Sequence, residues 1–176
     1  MNHGRRNILL TSASVAGWMG LGLDTFAQER PVVSSGAMRL ISIGGALTEI
    51  IYLLKADAEL VGVDTTSIYP TAATRLPNVG YARGLSAEGI LALRPTQLVA
   101  TAEAGPPIVL KQMIDAGIPL SILPSGHQLI DVIDRVRTIG RLVHRTDAAQ
   151  ALVSRLLLEW NTTQKRVANS KLNSTR

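Results

Sequence analysis

The feature that most constrains this chain is a regular alternation of short apolar runs and helix-like segments over residues 38–160. Runs of four or five apolar residues suit buried strands, and each is followed by a turn and then by apolar residues at helical spacing. This alternation indicates an α/β fold, a parallel sheet with helices on both faces, that ends in a long helix. The predicted strands are 39–43, 60–63, 97–101 and 120–123, and the predicted helices are one capped by Thr48, one capped by Ser86, 108–116, 129–142 and one that starts near Asp147.

Composition excludes several classes of protein. The chain has 176 residues and is 46% hydrophobic, which is enough for one packed domain. It has no cysteine, so a disulfide scaffold, a cysteine-ligated metal and a cysteine nucleophile are excluded. The net charge of +5 comes from the two ends, because residues 28–160 hold twelve basic and twelve acidic side chains. A neutral body lacks the basic surface that nucleic acids require, so we expect no nucleic-acid partner.

Residues 1–27 are predicted to be a signal peptide. Two arginines at positions 5 and 6 precede a mildly apolar run over 8–23, and residues 25–27 have the small–x–small pattern of a signal-peptidase site. The apolar run is shorter than the roughly 20 residues that span a membrane. The paired arginines suit the twin-arginine export route, so we expect the mature chain to be secreted.

Candidate binding residues lie where the predicted strands end, because ligands of open α/β sheets bind beyond the carboxyl ends of the strands. Gly44 and Gly45 follow the first strand, and Asp64 follows the second. This order imitates a dinucleotide-binding turn, but the third glycine of that pattern is absent. We therefore interpret Gly44-Gly45 as a tight turn with an amide-lined helix start.

Tyr81 and Arg83 form a second candidate pair. In an extended segment residues i and i+2 point to the same face, so the phenol and the guanidinium are expected side by side. The cation favours the phenolate, an anionic ligand that suits ferric iron, and tyrosine is one class of haem ligand. The alternative is a tyrosine packed over a loop with the arginine in solvent.

The histidines do not assemble into a catalytic set. His3 lies in the predicted signal peptide, and His144 follows a helical stretch. His127 alone is predicted to lie near the ligand edge of the sheet. No nucleophile–histidine–acid combination emerges, so we expect no enzyme, with a secreted α/β enzyme as the alternative.

Six segments resemble the periplasmic haem-binding proteins of ABC transporters, within the wider cobalamin- and siderophore-binding group. They are 39–45, 47–54, 61–70, 76–83, 85–95 and 103–107, and together they represent nearly the whole body of the chain. The resemblance implies two Rossmann-like α/β lobes joined by one long helix, with the ligand clamped between the lobes. This chain would then comprise the N-terminal lobe, 38–145, and the start of the interlobe helix with a polar tail, 146–176. A second lobe is missing, so we expect a truncated product.

The resemblance also implies roles for individual residues. Tyr81 would be the axial ligand of ferric haem, with Arg83 as its hydrogen-bonding partner and Tyr69 as the competing tyrosine. The Gly44-Gly45 turn and Gly105-Pro106-Pro107 would form pocket walls.

One further role concerns the membrane partner. Glu88 would dock on the permease of an ABC importer. The expectation is a monomeric, non-enzymatic periplasmic carrier of haem. A binding protein for cobalamin or a ferric siderophore, or a non-functional fragment, remains open.

Overall fold

The computed structural model describes residues 36–174, with side chains described through residue 170. The predicted signal peptide, 1–27, lies outside the described residues. The strands are β1 (Leu40–Ile43), β2 (Leu60–Val63), β3 (Gly80–Tyr81), β4 (Gly84–Leu85), β5 (Gln97–Thr101) and β6 (Leu120–Leu123). The helices are α1 (Gly45–Leu53), α2 (Ala87–Ala92), α3 (Pro107–Asp115), α4 (Leu129–Leu142) and α5 (Thr146–Ser174).

Four strands form a parallel sheet in the order β2-β1-β5-β6. All four residues of β1 are buried, and their side chains alternate between the faces of the sheet. Leu40 enters one hydrophobic core, whereas Ile41 and Ile43 enter the other. A strand covered on both faces is predominantly apolar, and three of the four residues of β1 are, which is why the sequence pattern identified it correctly.

Helices cover both faces of this sheet. The first core contains Leu47 and Ile51 of α1, Ile139 of α4 and Val153 of α5. The second core is closed by α2, α3 and the segment that includes Leu85. The predicted fold class is therefore confirmed.

The starts of two helices test the capping predictions. Ser86 precedes α2, and its hydroxyl accepts a hydrogen bond from the Gly89 amide at 3.1 Å, as predicted. The prediction for α1 was wrong, because the helix begins at Gly45 and Thr48 lies inside it. The Thr48 hydroxyl is buried and bonds instead to the Ser42 and Ser67 hydroxyls, at 2.9 and 2.7 Å.

Helix α5 has 29 residues. At 1.5 Å per residue it is about 43 Å long. Its first turns pack into the first core through Ala149, Leu152 and Val153, and the side chains from 157 to 170 are exposed. The polar tail therefore continues the helix as far as Ser174. Across residues 36–174, no helix combines the length and the hydropathy needed to cross a membrane.

Candidate functional site

A shallow concave surface of about 620 Å³ lies at the carboxyl ends of the strands. It collects side chains and backbone from the loops after β1, β2, β5 and β6, from the segment around β3 and from α4. Parallel strands end at the same edge, so loops that are far apart in sequence meet there. The lining residues are Gly44, Gly45, Ala46, Thr66, Tyr81, Ala82, Arg83, Thr101, Glu103, Ser125, His127 and Arg135.

The floor of the concavity is a glycine turn held by a buried carboxylate. Asp64 is 1% exposed, and its Oδ1 accepts hydrogen bonds from the Gly44 amide and the Ser67 hydroxyl, both at 2.9 Å. Its Oδ2 accepts from the Thr66 amide at 3.1 Å and the Thr66 hydroxyl at 2.7 Å. The Gly45 amide in turn donates to the Thr66 hydroxyl at 2.9 Å. One carboxylate therefore joins the loops that follow β1 and β2.

The two glycines of this turn are required by their surroundings. Gly44 has a φ of 123°, which side chains rarely adopt. A Cβ on Gly45 would lie 2.5 Å from the backbone oxygen of Thr66. Because Asp64 and Thr66 use both glycine amides, the turn presents to the concavity only bare backbone and the small Ala46 side chain, which allows a ligand to approach closely.

Tyr81 is presented by a short hairpin that the sequence analysis did not predict. Strands β3 and β4 are antiparallel, Tyr81 pairs with Gly84, and Ala82 and Arg83 form the connecting turn. The prediction of an extended segment was therefore wrong, since a chain that reverses does not place residues i and i+2 on one face by strand alternation. Both side chains nevertheless line the same concavity, and Tyr81 is 52% exposed.

Gly105 supports this hairpin from behind. Its amide donates to the Ala82 carbonyl at 2.8 Å, and its carbonyl accepts from the Leu85 amide at 2.9 Å. Gly105, Pro106 and Pro107 were expected to be pocket walls, but they do not line the concavity. Both backbone groups of Gly105 are hydrogen-bonded to the hairpin, and Pro107 is the first residue of α3.

The other predicted residues lie apart from the concavity. Glu88 is exposed in the first turn of α2 and is not a lining residue. Tyr69, the competing tyrosine, is 65% exposed and does not line the concavity either. Tyr81 is therefore the tyrosine that the fold brings to the carboxyl edge of the sheet.

Charged groups of both signs line the concavity. The Ser125 hydroxyl donates a short hydrogen bond to Glu103. This bond, the Glu103 backbone amide, the Thr101 hydroxyl and the positive charge of Arg83 together hold the pKa of Glu103 below its ordinary value of 4.5. Glu103 is consequently an anion near Arg83.

Sequence reasoning did not single out seven of the lining residues, among them Thr66, Glu103, Ser125 and Arg135. Thr66, Glu103 and Ser125 lie in loops that the strand-end rule had selected, but nothing in their local pattern marked them individually. Arg135 lies in α4, where a charged residue ordinarily indicates a solvated helix face. Only the packing of α4 beside the loop after β6 brings it to the site.

Two side chains that line the concavity are of the types that bind haem iron, the Tyr81 phenol and the His127 imidazole. Among residues 36–170, no group of three or more histidine, cysteine or acidic side chains converges as a metal site would require.

Comparison with known proteins agrees with this geometry. The family model described as periplasmic binding protein matches residues 40–175, and the chain belongs to that family. The resemblance drawn from the sequence is thus confirmed at the level of the family.

Three relatives illustrate what the chain is similar to. The structure of the periplasmic haem-binding protein BhuT in complex with two haems is 40% identical with a TM-score of 0.73, over 76% of this chain and 52% of that one. A periplasmic haem-binding protein from Pseudomonas aeruginosa is 39% identical with a TM-score of 0.68, over 75% of this chain and 46% of that one.

The third relative is the vitamin B12-binding protein of Yersinia pestis (strain Pestoides F). It is 31% identical over 105 residues, which are 58% of this chain and 38% of that protein. The chain thus spans about half or less of the length of the relatives it matches.

Proposed function

We propose that this chain is part of a periplasmic protein that binds ferric haem, leaves it chemically unchanged and delivers it to the permease of an ABC importer. Residues 38–145 would be its N-terminal lobe, 146–176 the start of the interlobe helix and 1–27 the signal for export. The observation that carries the proposal is the position of Tyr81, half exposed on a concavity at the carboxyl edge of the sheet, with Arg83 beside the same surface.

Tyr81 would bind the ferric iron through its phenolate oxygen, since an anionic oxygen is a good ligand for ferric iron. The guanidinium of Arg83 would stabilise that anion. The Gly44-Gly45 turn and Ala46 would lie against the porphyrin, because they present little beyond backbone. The identities of 40% and 39% with two haem-binding proteins support haem as the ligand.

Titration with hemin tests this proposal. The unmodified chain should give a high-spin ferric spectrum typical of tyrosinate ligation, and Tyr81→Phe, which removes only the phenol oxygen, should abolish that spectrum. Tyr69→Phe is the matched control, because Tyr69 is also exposed but does not line the concavity. It should bind hemin as the unmodified chain does.

A third variant separates the two possible iron ligands. His127→Ala should keep the tyrosinate spectrum if Tyr81 is the axial ligand. A histidine-type spectrum of the unmodified chain that is lost in His127→Ala and retained in Tyr81→Phe would assign the iron to the imidazole instead and contradict the proposal.

A cobalamin-binding protein is the second candidate, and the vitamin B12-binding relative is the observation that favours it. Competition between hemin and cobalamin for the chain distinguishes the two functions. We expect hemin to displace cobalamin, and the reverse order of affinity would reject haem as the ligand.

A further inference from the structure

Arg135 is a partly buried cation at the concavity without a counter-ion. Its Nη2 donates to the carbonyl of Gly126 at 2.9 Å, which fixes the guanidinium against the loop after β6. Its Nε is buried without a hydrogen-bond partner, and Arg135 forms no ion pair within residues 36–170. A guanidinium withdrawn from water without an anion is costly, so this arrangement favours an anionic ligand.

The acidic residues near Arg135 on α4 have other partners. Asp131 accepts a hydrogen bond from the Gln128 amide at 2.9 Å as part of the capping box of α4. Asp134 pairs with Arg137 at 3.8 Å. Both line a small cavity with Arg135, yet neither forms an ion pair with it.

The other arginine of the concavity is in a different electrostatic setting. Arg83 is exposed to water and lies near the Glu103 carboxylate. Within the described part of the chain neither arginine forms an ion pair, but only Arg135 has a buried guanidinium nitrogen without a hydrogen-bond partner. Of the two arginines, Arg135 is therefore the one with a buried donor left for a ligand.

We propose that Arg135 binds a carboxylate of the ligand and thereby makes the site selective for tetrapyrroles that carry free carboxylates, such as the propionates of haem. The inference rests on the proposed function and adds a specificity-determining residue to it. A guanidinium presents a planar set of donors that matches a carboxylate, and Gly126 already holds this one in place. Tyr81 enters from the hairpin and Arg135 from α4, so the iron and the carboxylate would be bound by different elements.

Titration of two ligands into two variants of the protein tests the inference. Hemin and hemin dimethyl ester, which lacks the free carboxylates, are titrated into the unmodified chain and into Arg135→Gln. We expect the substitution to weaken hemin binding by roughly tenfold or more, as loss of a charge-assisted hydrogen bond does. Binding of the ester should change by less than about threefold, since uncharged contacts are unaltered.

Two further measurements keep the test decisive. Arg155→Gln, which replaces an exposed arginine of α5 outside the concavity, should leave both affinities unchanged. If Arg135→Gln does not fold, the unmodified chain alone decides, because it should prefer hemin to the ester by roughly tenfold.

The outcomes separate the inference from the proposed function. Equal loss for hemin and ester in Arg135→Gln, or equal affinity of the unmodified chain for both, overturns the role of Arg135. Hemin binding that still depends on Tyr81 would then leave the haem-binding function standing. Absence of any hemin binding by the unmodified chain would overturn both.

Discussion

Replacement of Asp64 by asparagine should destabilise the fold and loosen the floor of the concavity. The carboxylate is buried and accepts four hydrogen bonds, from Gly44, from Ser67 and two from Thr66. An asparagine keeps one acceptor oxygen, which can still serve Gly44 and Ser67. Its NH2 group, however, would face the Thr66 amide, a donor opposite a donor.

The size of the destabilisation follows from the hydrogen bonds that are lost. A hydrogen bond to a charged group contributes about 1.5–3 kcal/mol, and at least one is lost while the others become neutral. Part of this loss is recovered by water, because the Thr66 side of the network is only partly buried. We therefore expect Asp64→Asn to lower the free energy of unfolding by about 2–3 kcal/mol.

Urea unfolding followed by circular dichroism measures this change. The urea concentration at the midpoint should fall. The dependence of the free energy of unfolding on urea concentration should stay the same, because the surface exposed on unfolding is unaltered. Asp115→Asn is the control, because Asp115 pairs with Lys111 on the exposed face of α3. An exposed pair of this kind contributes about 0.5 kcal/mol or less. Equal stability of the two variants would refute the assignment of Asp64 as the residue that holds the glycine turn.

Two further predictions concern Glu103 and Glu88. Ser125→Ala should raise the pKa of Glu103 toward its ordinary value, because the largest cause of its lowering is the Ser125 hydroxyl. A carbon NMR titration measures this, Ser154→Ala should have no effect, and an unchanged pKa would contradict the assignment. Since the pKa of Glu103 is lowered in the fold, its ionised form stabilises the protein above the pKa of the unfolded chain, and this stabilisation is lost as the pH falls through the folded pKa. We propose that the exposed Glu88 carboxylate docks on the permease. Glu88→Arg should then leave hemin affinity unchanged, because Glu88 does not line the concavity, but reduce haem uptake by cells that express the variant. Unimpaired uptake would reject this role.

The fold was largely predictable because its two central strands, β1 and β5, are buried on both faces. The continuous apolar runs of β1 and β5, bounded by turns, have few alternative structures. Thr48 was misassigned because a threonine before an apolar segment resembles a helix cap, whereas this hydroxyl bonds to Ser42 and Ser67 inside the protein. No local pattern carries that information.

The site was predictable only in part. The strand-end rule led to Gly44 and Gly45, and a motif led to Tyr81. The hairpin that presents Tyr81 escaped prediction because its strands have two residues each, too few for periodicity. Arg135 was not predicted for another reason, since its place at the concavity depends on how α4 packs beside the loop after β6.

The proposed bond between the Tyr81 phenolate and ferric iron is tested most directly by resonance Raman spectroscopy of the hemin complex. With isotopically labelled tyrosine, we expect enhanced phenolate vibrations that shift with the label, persist in Tyr69→Phe and vanish in Tyr81→Phe. A hemin complex without phenolate vibrations, or one that keeps them in Tyr81→Phe, would contradict tyrosinate ligation at this position.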